Sequence, residues 1–94
     1  MADSHDRAAR KIANRYGGVY DPASSPDVRT PDRRIEVKST TDEIQTALDQ
    51  LGHTQKKRYI ALPSSEIPYA LDVVPPGVGL MNHNGDIVKR PRRS

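Results

Sequence analysis

Apolar positions along the chain fall into two periods. Ala8, Ala9, Ile12, Ala13 and Tyr16 lie three and four apart, the spacing of one helical face. This predicts a helix over residues 3–16, capped by Asp3 or Ser4 and stopped at Gly17-Gly18. Ile44, Ala47, Leu48 and Leu51 repeat the pattern. Thr40-Thr41-Asp42-Glu43 ahead of them has the form of a capping box, and Gly52 ends the helix. Elsewhere the period is two. Val19-Tyr20 starts a short strand, residues 21–26 form a loop, and Asp27–Arg29 and Arg34–Lys38 alternate polar and apolar. Arg58–Leu62 is a strand ended by Pro63, and 64–74 holds a short helical segment limited by Pro68. Val78–Met81 and Ile87–Lys89 flank Asn84-Gly85, a tight-turn pair that predicts a last hairpin. The order helix, strand, strand, strand, helix, strand, then hairpin defines an α/β layer, with helices packed on a mixed sheet.

Residues 27–38 carry the densest information. Thr30-Pro31-Asp32-Arg33 is a turn signal, with proline fixing φ at the first central position. A turn centred between Pro31 and Asp32 pairs residues whose numbers sum to 63. Asp27 then faces Glu36, Val28 faces Ile35, and Arg29 faces Arg34. Directly opposed Cβ atoms lie about 4.5–5.5 Å apart. Val28, Ile35 and Val37 line one face, while Asp27, Arg29, Arg34, Glu36 and Lys38 line the other. Two carboxylates and a lysine converge on one patch. The plainer reading is a half-exposed strand in which Glu36 and Lys38 alternate with core residues, and Asp27 caps a turn after Pro26.

Composition bounds the rest. A chain of 94 residues fits one domain, and 18 Ile, Leu and Val with no Phe or Trp make a thin core. The net charge of +3 is unevenly placed, because Lys89, Arg90, Arg92 and Arg93 sit in the last six residues. Residues 1–88 hold eleven basic and twelve acidic groups, a balance of −1. The chain therefore reads as a near-neutral body, 1–88, and a basic tail, 89–94, suited to a polyanion or simply solvated. The absence of cysteine excludes disulfides, thiolate metal sites and cysteine nucleophiles. His5, His53 and His83 lack zinc-ligand spacing. No stretch approaches the roughly 18 apolar residues of a membrane span, and the N-terminus lacks an apolar signal core. A cytoplasmic protein with no membrane partner is the expectation.

Pro26-Asp27, eight intervening residues, then Glu36-Val37-Lys38 resembles the motif of the PD-(D/E)xK nuclease superfamily, which includes restriction enzymes, Holliday junction resolvases and repair nucleases. The resemblance covers roughly residues 3–62. It implies a restriction-endonuclease-like domain with an αβββαβ core and a Mg²⁺ (or Mn²⁺) dependent endonuclease acting on DNA. Recognition would be of structure, at junctions, flaps or single strands, and the resolvase version requires a homodimer. Asp27, Glu36 and the Val37 carbonyl would hold the metal, an all-oxygen set suited to a hard cation. A cation between the opposed carboxylates would relieve their repulsion. Lys38 would position or deprotonate the attacking water, or stabilise the developing oxyanion. Asp6 stands where the family often has a glutamate on its first helix, and Gln45 or Gln50 would correspond to a polar helper on the second. Arg7, Arg10, Lys11 and Arg15 on the first helix, Arg29 and Arg34 on the hairpin, and Lys89, Arg90, Arg92 and Arg93 in the tail would meet phosphates. Two alternatives remain open at this point: a non-catalytic nucleic-acid-binding module on the same fold, and a scaffold or accessory protein. Tyr59 reads as sheet packing or as a base-stacking platform, and His83 as a hairpin-loop residue without chemistry.

Overall fold

Small side chains bring the first helix close to the sheet. In the computed structural model, which describes residues 4–23 and 27–92, helix α1 spans Ser4–Tyr16. Its stripe of Ala8, Ala9, Ile12 and Ala13 is buried against Val28, Ile35, Val37, Tyr59, Ala61 and Met81. Gly17 ends the helix at φ +67, a left-handed conformation that costs glycine little. The Gly18 N–H then donates to the Ala13 carbonyl at 2.8 Å, closing the helix in a Schellman motif. Asp3, the loop residues 24–26 and Arg93 lie outside the described residues.

Six strands form one mixed sheet in chain order: β1 Val19–Tyr20, β2 Val28–Arg29, β3 Arg33–Val37, β4 Lys57–Leu62, β5 Val78–Asn82 and β6 Ile87–Lys89. β1, β2 and β3 meander antiparallel, β3, β4 and β5 run parallel, and β6 returns antiparallel to β5. The parallel crossovers pass through α2, Ile44–Leu51, and α3, Ile67–Ala70. Both helices pack on the face opposite α1, over Ile60, Leu62, Val78 and Leu80. The sheet is thus sandwiched between α1 and the α2/α3 layer. This is why β5 is buried from Val78 through Met81 and β4 from Tyr59 through Leu62: parallel strands covered on both faces carry continuous apolar runs. The final hairpin is no separate unit, because β5 extends the central sheet. Tyr59 is fully buried, so sheet packing is its role.

The capping box before α2 forms as the sequence predicts. Glu43 Oε1 accepts the Thr40 N–H at 3.2 Å, and the entry is a 3-10 turn over Thr41–Glu43. A second acid reinforces it: Glu66 Oε1 accepts the Thr41 N–H at 2.6 Å. One expected boundary moves. Lys89 belongs to β6 and pairs with Leu80, so the ordered body continues past residue 88. Its ammonium lies 3.3, 3.0 and 3.2 Å from the carbonyls of Val74, Pro75 and Val78. Those carbonyls at the strand entry need donors, and Lys89 supplies them. Beyond it, the Arg92 N–H donates to the Pro76 carbonyl at 2.7 Å.

The β5–β6 loop is fastened to α1. Lys11 Nζ donates to Asn84 Oδ1 at 2.6 Å. Arg15 pairs with Asp86 at 2.6 Å, and the Tyr16 hydroxyl donates to the Gly85 carbonyl. Much of the cationic face of α1 therefore serves tertiary structure.

Candidate active site

The hairpin forms in the register read from its turn. Val28 pairs with Ile35 and Arg29 with Arg34. Thr30 closes the turn: its N–H donates to the Arg33 carbonyl at 3.0 Å, and its hydroxyl oxygen accepts the Arg33 N–H at 2.9 Å. Asp27 and Glu36 follow across from each other. The Asp27 N–H donates to Glu36 Oε1 at 2.7 Å, and Asp27 Oδ2 accepts the Val37 N–H at 3.1 Å. Lys38 Nζ lies 3.5 Å from Glu36 Oε2. Backbone and side chains of the two strands are thereby interlocked around a carboxylate pair and an ammonium.

Glu36 is far more enclosed than period-two alternation suggests. It sits beside Ile60 in the β3–β4 ladder, on the face covered by α2 and α3, and is 1% exposed. Burial, and then the neighbouring Asp27 carboxylate, push its pKa upward, while the Asp27 N–H and the Lys38 ammonium pull partly back. A buried carboxylate next to a second one is a group whose ionised form gains from added positive charge. The donor set passes the test for a hard divalent ion: two carboxylates and a main-chain carbonyl, all oxygen. Among the described residues no group of three or more His, Cys, Asp and Glu side chains forms a metal cluster. A metal here would complete its shell with the carbonyl and water.

Two histidines enter the site without a local sequence signal. His5 Nε2 stands 3.1 Å from Asp27 Oδ2; an ionised carboxylate accepts only, so this nitrogen carries the proton. His83 Nε2 donates to the Lys38 carbonyl at 2.8 Å. The cause lies in β4. The Lys38 N–H bonds to the Ala61 carbonyl at 2.9 Å, so a continued parallel ladder would turn the Lys38 carbonyl toward residue 63. That residue is Pro63, with no N–H. His83, in the β5–β6 loop as the sequence places it, supplies the missing donor, a structural bond that its local sequence does not signal.

On α1 it is His5 that contacts Asp27, whereas the Asp6 carboxylate is held by Arg10 at 2.9 Å and by Tyr20. These partners keep the Asp6 pKa below its ordinary value, Arg10 chiefly. Gln45 bonds to Asp49 on its own exposed helix face at 3.2 Å, and Gln50 Oε1 is buried without a partner among the described residues.

The cations assigned to phosphate contact divide. Arg7 is exposed. Arg10 pairs with Asp6 and lies over the Tyr20 ring at 5.6 Å; Lys11 and Arg15 hold the β5–β6 loop. Arg29 is exposed, and Arg34 Nη1 donates to the Thr30 and Arg33 carbonyls, both at 2.8 Å, bracing the hairpin turn. Lys89 is occupied by carbonyls, while Arg90 and Arg92 are exposed. Compared with models of known protein families, with curated proteins and with solved structures, the chain shows no match.

Proposed function

We propose that this chain is a metal-dependent phosphodiesterase that cuts DNA, built on the αβββαβ core of the restriction-endonuclease-like fold. The order α1, β1, β2, β3, α2, β4, with α1 and α2 on opposite faces, supports the fold reading. One observation carries the activity: a buried Glu36, tied to the Asp27 main chain and flanked by Lys38, at the point where the Asp27 carboxylate turns back onto the same strand.

Asp27, Glu36 and the Val37 carbonyl would hold Mg²⁺ or Mn²⁺. Such an ion polarises a phosphoryl oxygen and acidifies a bound water. The chain's own residues do the rest. Lys38 holds an ammonium in a largely enclosed position, 13% exposed at the side chain, where a fixed charge acts more strongly on developing negative charge than it would in water. His5 holds Asp27 in place through Nε2–H. The Val37 N–H fixes Asp27 Oδ2 on the opposite strand, so both carboxylates meet a substrate already oriented.

The test is cleavage of labelled branched, flapped and single-stranded DNA with Mg²⁺, Mn²⁺ or EDTA. Cleavage is expected with either metal and absent in EDTA. Asp27→Ala, Glu36→Gln and Lys38→Ala are each expected to lose about 100- to 10,000-fold in rate. Cutting that survives all three substitutions overturns the proposal, as does a folded wild type that cuts none of the substrates with either metal.

A further inference from the structure

An open groove lies at the other end of the sheet from Glu36 and Lys38. It encloses about 630 Å³. Its walls come from four segments: the loop into β4 with the first residues of that strand, the hairpin turn at Asp32, Gly77 ahead of β5, and the chain after β6. Lys57 pairs with Arg33 at the start of β3, four residues before Val37. At the rise of a β-strand the groove is therefore roughly 13 Å along the sheet from the carboxylate pair.

Four cations line it: Lys56, Lys57, Arg58 and Arg92. The acid among the lining residues is Asp32, whose carboxylate accepts the Thr30 hydroxyl at 3.0 Å and lies 3.4 Å from Arg33. None of the four cations forms a salt bridge among the described residues. Lys56 Nζ and Arg58 Nη1 donate to the Pro31 and Gly52 carbonyls, neutral acceptors that hold the charged ends in place without neutralising them, and Asp32 offsets part of the charge of Lys57. Thr54 and Gln55 add polar groups, and no aromatic side chain lines the wall. A groove of this kind has no apolar pocket to anchor a peptide side chain. It has the charge density that a phosphodiester backbone neutralises.

We propose that this groove is a backbone-binding site for a nucleic-acid strand, separate from the catalytic carboxylates, that holds the substrate without reading its bases. The identity of the ligand rests on the nuclease reading. The binding itself does not need metal.

The test uses the full chain in EDTA, so that cleavage plays no part, and a fluorescein-labelled 16-nucleotide strand followed by anisotropy across a salt series. Lys56 and Lys57 are exposed, so Lys56→Glu/Lys57→Glu and the milder Lys56→Gln/Lys57→Gln are expected to fold, which circular dichroism with thermal melting checks first. The charge-reversed protein is expected to bind about tenfold or more weakly, and the neutral variant to lower the slope of log K against log salt by about one to two. Binding with unchanged affinity and slope in both variants overturns the proposal, as does a wild type that does not bind. Poly-glutamate competing as well as DNA at equal charge also overturns it and marks the groove as a surface for an acidic protein. Binding lost on groove substitution in a protein that never cuts DNA leaves this site standing and removes the nuclease reading.

Discussion

The main-chain N–H of Asp27 donates to Glu36 Oε1 at 2.7 Å, so the enclosed acid is tied to the strand that carries the second acid. Folding buries Glu36 beside Asp27, and its pKa rises. The ionised form is therefore disfavoured in the folded state. Its unfavourable contribution is present above the folded pKa and is relieved as pH falls through that value. Relief is complete below the unfolded pKa, where both states are protonated. The melting temperature of wild type is expected to rise relative to Glu36→Gln as pH is lowered from about 7.5 toward 4.5. Paired thermal melts across that range check this, and parallel curves contradict it. Saturating Mg²⁺ at neutral pH is expected to raise the wild-type melting temperature and not that of Glu36→Gln.

His83→Ala removes the donor that replaces the absent N–H of Pro63 at the Lys38 carbonyl. The expected loss is about 1 kcal/mol, since the site is partly open to water. For a domain of this size that is roughly 4–8 °C in melting temperature. His83→Gln, whose amide can donate, should restore part of it. Equal melting of His83→Ala and wild type rules the role out.

Gly79 sits directly beside a ring. A Cβ there would lie 2.6 Å from Tyr59 Cε1 and 2.7 Å from the Lys89 main-chain oxygen. Neither atom moves freely, because Tyr59 is fully buried and Lys89 is in the sheet. Gly79→Ala is expected to cost about 3 kcal/mol or more. Gly77→Ala meets only the end of the Arg58 side chain, at 3.3 Å, and should melt within a few degrees of wild type. Urea denaturation of the two variants side by side gives the comparison.

Tyr20 titrates late. Burial first, and then the bond to Asp6, push its hydroxyl up to about 12. Ultraviolet titration of wild type against Tyr20→Phe is expected to show this phenol ionising well above the ordinary value of about 10. Asp6→Asn should bring that phenol down, because a carboxylate opposes a phenolate and an amide does not. An unmoved late phenol would show that Asp6 engages something other than Tyr20.

The hairpin register, the capping box, β4 and the two long helices were legible because each is decided within about a dozen residues: a proline that fixes a turn, a glutamate three past a threonine, a period of two or 3.6. The burial of Glu36 was not. It depends on α2 and α3 closing over that face of the sheet, and alternation in β3 says only that Glu36 and Val37 point opposite ways. His5 and His83 were illegible as partners because their contacts span 22 and 45 residues. Lys89 read both as the end of the last strand and as the start of a charged tail, since its neighbours are basic. The carbonyls that claim it are brought to it only by the β5–β6 pairing.

The fastening of α1 to the β5–β6 loop also sets the order in which the chain can assemble. Its bonds join residues 73, 71, 69 and 69 positions apart. Contacts of such span repay their loop-closure entropy only once the intervening sheet has formed. The β2–β3 hairpin and the β3–α2–β4 crossover close much shorter stretches of chain. Helix α1 is therefore among the last of these elements to be locked, because its clamp waits for the β5–β6 hairpin.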